Sequence, residues 1–227
     1  MRIPFAVFRV AAAALIVAAI VAQLSRSLEV WTAAGVKDIG FQFVNFFSFF
    51  TIESNVLSVV VLLIGAAYAF AKQPDTVWFN VFRAAVVTYM VTTGVVYNLL
   101  LRGIELPQGT TVAWSNEVLH VVAPLVLLID WLFAPGRLAV ATKAIWVIVS
   151  FPLVWGVYTL IRGPFALDER FGTNWYPYPF MNPETSQNGY FSVAFYMILI
   201  ALIIGAAGAG AIWLSRKRLP LSQRAAA

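Results

Sequence analysis

Thr51 and His120, a threonine and the sole histidine of the chain, are the residue types here best suited to chemistry. His120 lies inside a long apolar run, where an ionisable group is costly to bury and therefore marks a functional candidate. A hydroxyl beside an imidazole makes a nucleophile–base pair. The neutral ring takes the alcohol proton while the oxygen attacks a carbonyl carbon such as that of an ester. One histidine and no cysteine exclude thiol chemistry, a bis-histidine haem and a Cys/His zinc site. The sequence suggests no metal and no cofactor.

Polar groups gather near both residues. At about 100° per residue, Ser48, Thr51, Ser54, Asn55 and Ser58 share roughly a third of one helix circumference, and Glu53 lies nearly opposite. Asn116 precedes His120 by one turn, Pro124 follows by one, and Glu117 is close by. The amides Asn55, Asn98 and Asn116 are candidate oxyanion donors, and the Glu117 carboxylate is a candidate to orient the imidazole. Taken singly, such groups have plainer uses. Membrane hydroxyls often bond the carbonyl four residues back, and a lone histidine often bridges helices.

The elements that must position these groups are membrane helices. Of 227 residues, 61% are hydrophobic and 11% charged, with a mean hydropathy of +0.84. A soluble domain of that make-up would expose large apolar patches. The fold expected is an all-α bundle of six transmembrane helices forming one domain, 1–227. The spans run roughly Phe5–Leu24, Phe43–Phe70, Trp78–Leu101, Ala113–Phe133, Ala139–Ile161 and Gly189–Leu214. On that map Thr51 and His120 each lie on the order of 11–12 Å below the outer interface. Tyr97-Asn98 and Tyr158-Thr159, ending the third and fifth spans, fall in the same outer layer, and the inner halves of those spans look plainer. Asp130 falls near the inner interface, where water can reach it.

The basic residues follow membrane orientation rather than a nucleic-acid surface. Arg2, Arg9, Lys72, Arg83, Arg137, Lys143, Arg216, Lys217, Arg218 and Arg224 fall on the side of the termini. Arg26, Lys37, Arg102, Arg162 and Arg170 fall on the other. The positive-inside rule then places both termini, including a basic tail at 215–227, in the cytoplasm. Outside lies a Trp/Tyr/Pro-rich loop, 162–188, read either as an interfacial belt or as a lid. Ser48, Ser54, Tyr97, Tyr158, Trp175 and Tyr176 are the pocket or lid candidates. In the sixth span Ala201, Gly205 and Ala209 recur at the spacing of close helix packing inside the bundle. A short echo of Ser54-Asn55…Tyr97-Asn98 in Ser115-Asn116…Tyr158-Thr159 suggests a parallel repeat of the kind some transporters use.

Three motifs together resemble a known family. They are Phe50-Thr51-Ile52-Glu53-Ser54-Asn55, His120-Val121-Val122-Ala123-Pro124 with Asp130-Trp131, and Trp175-Tyr176-Pro177-Tyr178-Pro179-Phe180. The chain resembles the androgen-induced membrane protein family over about Arg9–Leu214, above all its bacterial integral membrane branch. The resemblance implies a six-span hydrolase that uses a threonine and a histidine on fatty acid esters of hydroxy fatty acids. By motif those residues are Thr51 and His120. The polar Glu53-Ser54-Asn55 beside the threonine leaves the substrate open. The expectation is a membrane-embedded hydrolase of lipid esters with membrane lipids as its partners. The alternatives are a transporter or lipid-binding protein using the same polar layer, and a non-catalytic assembly partner.

Overall fold

A computed structural model describes residues 2–104, 111–168 and 171–217. Six of its helices are long and apolar enough to cross a membrane. They are α1 (Arg2–Ala33), α3 (Phe50–Phe70), α4 (Val77–Leu101), α5 (Ala113–Phe133), α6 (Thr142–Phe165) and α7 (Tyr190–Lys217). A short helix, α2 (Ile39–Phe47), precedes α3, and Asp38 caps it by accepting from the Phe41 N–H at 2.8 Å. The connection between α6 and α7 adds a two-stranded antiparallel hairpin, β1 (Leu167–Asp168) with β2 (Thr173–Asn174), in the register Leu167↔Asn174. Arg170 and most of the basic tail, 218–227, lie outside the described residues.

The second predicted span is in fact two helices. The chain breaks at Ser48–Phe49, where Phe49 is extended, so Thr51 stands in the first turn of α3 rather than deep inside a continuous helix. The cause is local competition for carbonyls. The Ser48 carbonyl accepts the Trp155 indole N–H at 3.0 Å, while the Ile52 N–H turns to Phe49 O at 2.9 Å.

Helix α4 is the most buried of the six spans and α7 the least, so α4 forms the centre and α7 presents most of its surface outward. Pro152 in α6 withholds the N–H that would bond Ile148 O. The Tyr89 hydroxyl of α4 supplies the missing donor at 2.8 Å. On α7 the packing face is Ile204, Gly208 and Ala211, with Ile145 and Ile148 pressed against Gly208. The expected Ala201–Gly205–Ala209 face instead looks partly outward, and a Cβ on Gly205 would meet nothing within 4 Å.

The two ends of the bundle hold different polar groups. At the end of the termini, Arg2 donates to Lys72 O and Arg216 to Val140 O. Just inside that end lies a buried ion cluster. Arg9 bonds Asp130 at 2.6 Å and Gly65 O at 2.6 Å, and Arg83 bonds Asp130 at 2.9 Å and Asp75 at 2.5 Å. Asp130, expected near solvent, is 2% exposed, and Arg9 and Arg83, counted among the charges on the side of the termini, are its buried partners. The half of α4 toward the termini, expected to be plain, therefore carries a buried charge, Arg83. Two arginines and two aspartates cancel there, joining α1, α3, α4, α5 and the 71–76 connection. The opposite end holds Thr51 and His120.

Candidate active site

Pro124 shapes the helix that carries His120. It has no N–H for His120 O, and the chain responds with a π-helical turn over Val118–Val122, in which the Ala123 N–H reaches back to Val118 O. A second such turn, Tyr97–Leu101, ends α4, with the Arg102 N–H on Tyr97 O at 2.7 Å. Gly94 lets the two helices close here. A Cβ on Gly94 would stand 3.2 Å from Pro124 Cβ and 3.4 Å from His120 O. The approach lays the Tyr97 ring on the imidazole, centroids 4.1 Å apart.

His120 meets Thr51 across this junction. Thr51 Oγ1 is 3.1 Å from Nε2, and Nδ1 is 2.9 Å from the Asn116 carbonyl. A carbonyl only accepts, so Nδ1 carries the proton of the neutral ring and Nε2 presents its lone pair to the threonine. That is the tautomer a general base requires. The imidazole is oriented by a backbone carbonyl rather than by a carboxylate. Glu117 accepts instead from Arg102 at 3.0 Å, in an exposed pair.

Tyr178 completes the cluster. It comes from the connection between α6 and α7, and its hydroxyl accepts the Thr51 N–H at 3.2 Å and lies 3.2 Å from Thr51 Oγ1. Sequence reasoning placed Tyr178 within the Trp/Tyr/Pro motif but not among the site residues. Nothing in that motif separates it from Tyr176. Its neighbours in the loop also pack inward: Trp175 and Met181 are buried, as is Tyr178 itself.

Two cavities meet at these groups. One, of about 220 Å³, runs between α4, α6 and α7 along Val149, Leu153, Trp155, Met197 and Ile204. The other, of about 130 Å³, is lined by Gln23, Ser27, Phe49, Thr111 and Asn116. Thr51, Tyr97, Leu101, His120 and Tyr178 line both. The first is almost wholly apolar; the second carries amides and hydroxyls.

The remaining sequence candidates are placed as follows. Asn55 gives both amide hydrogens to backbone carbonyls, Thr51 O at 2.8 Å and Leu119 O at 3.1 Å, and so ties α3 to α5. Asn98 is exposed and donates to Gly94 O, and the Asn116 amide donates to the Tyr97 hydroxyl. Ser54 bonds Thr51 O and Thr93, and Ser48 bonds Val44 O and the Tyr158 hydroxyl. Trp175 packs edge-on to Phe49, and Tyr176 packs over Gly163. Of the six pocket or lid candidates, Tyr97 alone lines either of these two cavities. Among the described residues no group of three His, Asp or Glu side chains is placed to hold a metal ion.

No family model, no curated protein and no solved structure matches this chain.

Proposed function

We propose that this protein is a membrane-embedded hydrolase of fatty-acyl lipid esters, with Thr51 as nucleophile and His120 as general base. One observation carries the reading. Thr51 Oγ1 stands 3.1 Å from an imidazole nitrogen whose tautomer is fixed for proton abstraction, at a point where two cavities join. The apolar cavity between α6 and α7 suits an acyl chain entering sideways from lipid. The more polar one suits the alcohol portion and the hydrolytic water. The resemblance to the androgen-induced membrane protein family supports the same pair. With the positive-inside bias, the site sits in the outer half of the bilayer and both termini are cytoplasmic; a C-terminal reporter found outside would overturn that orientation.

The reaction runs in two halves. Thr51 Oγ1 bonds the ester carbon while its proton passes to His120 Nε2. The tetrahedral adduct then expels the alcohol, which takes that proton back, leaving an acyl-threonine. Water attacks the acyl-threonine, again losing its proton to Nε2, and collapse releases the fatty acid and restores Thr51. A lipophilic fluorophosphonate is expected to label wild-type protein covalently and to leave Thr51→Ala unlabelled. Equal labelling of the mutant removes Thr51 as nucleophile.

A second reading rests on Glu53, whose Oε2 is buried without a hydrogen-bond partner. A carboxylate so placed suits proton-coupled transport or ligand binding. Proton-linked uptake into liposomes, lost in Glu53→Gln and kept in Thr51→Val, would favour it.

A further inference from the structure

Each of the three candidate amides already donates elsewhere. Asn55 is spent on Thr51 O and Leu119 O, Asn98 on Gly94 O, and Asn116 on the Tyr97 hydroxyl. The Tyr178 hydroxyl is placed differently. It accepts from the Thr51 N–H, and its own proton points to Thr51 Oγ1 at 3.2 Å, because the threonine proton is directed to His120 Nε2. The nucleophilic oxygen thus gives one hydrogen bond and receives one.

Resting on the hydrolase reading above, we propose that Tyr178 is a catalytic residue, the side chain that donates to the oxyanion of the tetrahedral intermediate. When Oγ1 bonds the ester carbon, the carbonyl π pair moves onto the carbonyl oxygen. Oγ1 becomes an ether-like oxygen and a poor acceptor. The new anion sits on the same carbon as Oγ1, two bonds from it, so the Tyr178 O–H passes from Oγ1 to it with a small rotation. The pair then returns to re-form the carbonyl, the bond to the alcohol oxygen breaks, and His120 returns the proton to that oxygen. The deacylation half uses the same donor with water as nucleophile.

The phenol is held for this task by rings. Tyr178 stacks on Phe180 at 5.2 Å and meets Phe49 edge-on at 5.7 Å. Burial pushes its hydroxyl up to about 12, against the pull of its bonds to Thr51, so it keeps its proton at any working pH. Thr51 in the first turn of α3 adds the positive end of a helix on the same side. Because Tyr178 belongs to the external loop, the site is complete only with that loop seated.

The test uses full-length protein in phosphatidylcholine nanodiscs, with a lipophilic fluorophosphonate and a p-nitrophenyl ester of a medium-chain fatty acid as probes. Tyr178→Phe keeps the ring contacts and is expected to lower kcat by about 10²–10³-fold with little change in KM. Its melting temperature should stay near that of wild type, and Tyr178→3-fluorotyrosine should recover most of the turnover. A Tyr178→Phe kcat within about twofold of wild type, or a loss confined to KM, overturns the role. So does a fall in activity matched by a fall in melting temperature and not recovered by the fluorinated phenol. Failure of the underlying hydrolase reading looks different, with wild-type protein itself neither labelled at Thr51 nor active, and it removes this role as well.

Discussion

The Tyr97 ring lies on the His120 imidazole at 22° from parallel, with centroids 4.1 Å apart, and each residue sits in its own π-helical turn. The stack closes one face of the imidazole, and the Asn116 carbonyl fixes its rotation from Nδ1. A base held at both points loses little entropy when it takes a proton. Such an aromatic contact contributes about 0.5–1.5 kcal/mol beyond its buried area. Tyr97→Leu is therefore expected to lower kcat by up to about tenfold, and Tyr97→Phe to keep most of it. Turnover of a chromogenic acyl ester in nanodiscs measures both. Equal activity in all three proteins would mean that the stack does no positioning.

In the proposed reaction His120 accepts the Thr51 proton through Nε2, which requires Nδ1 to keep its own proton on the Asn116 carbonyl. Replacing the ring removes the base but leaves Thr51 bonded to Tyr178. His120→Ala should fall by at least about 10²-fold in ester hydrolysis and remain folded. Thr51→Val, which keeps the shape and loses the hydroxyl, should fall to background. Unchanged hydrolysis in purified His120→Ala would end the dyad mechanism.

Much of this site follows from spacing alone, and the rest does not. Depth counting put Thr51 and His120 at one level, and the fold brings them to 3.1 Å. The agreement holds although the count treated Phe43–Phe70 as one helix, which the chain breaks at Ser48–Phe49. That break leaves no trace in the sequence, because no Gly or Pro marks it. It depends on an indole more than a hundred positions away, Trp155, taking the Ser48 carbonyl. Tyr178 is invisible for the same reason: which ring of a Trp/Tyr/Pro loop enters the bundle is decided by Phe49 and Phe180. Likewise Arg9 and Asp130, 121 positions apart, read as separate charges until α1 and α5 meet.

The buried ion cluster at the opposite end calls for a stability test rather than an activity test. Asp130 accepts from Arg9 and Arg83 together, and the Arg83 guanidinium also lies 5.6 Å from the Trp131 ring. Removing the shared carboxylate leaves two guanidinium groups short of a partner in an apolar interior. Asp130→Ala should cost about 3–5 kcal/mol, read as a lower melting temperature in detergent. The specific activity of the protein that remains folded should be preserved, because no member of the cluster lines either cavity. An unchanged melting temperature would show that water or lipid headgroups replace the carboxylate.

Gly163 links the loop to the chemistry by touch. It opens the last turn of α6, under the Tyr176 ring so closely that a Cβ at this position would collide with the ring. Tyr176 is two residues from Tyr178, with Pro177 between them, so a backbone shift that relieves the collision is carried toward the Tyr178 ring. Gly163→Ala is therefore expected to pull the Tyr178 hydroxyl away from Thr51 and lower kcat, leaving the six spans in place. Tyr176→Ala in the same protein makes room for the new methyl and should restore turnover. Measuring hydrolysis for the two single mutants and the double mutant decides the matter. A double mutant no better than Gly163→Ala alone would show that the loop reaches its seat by some route other than this contact.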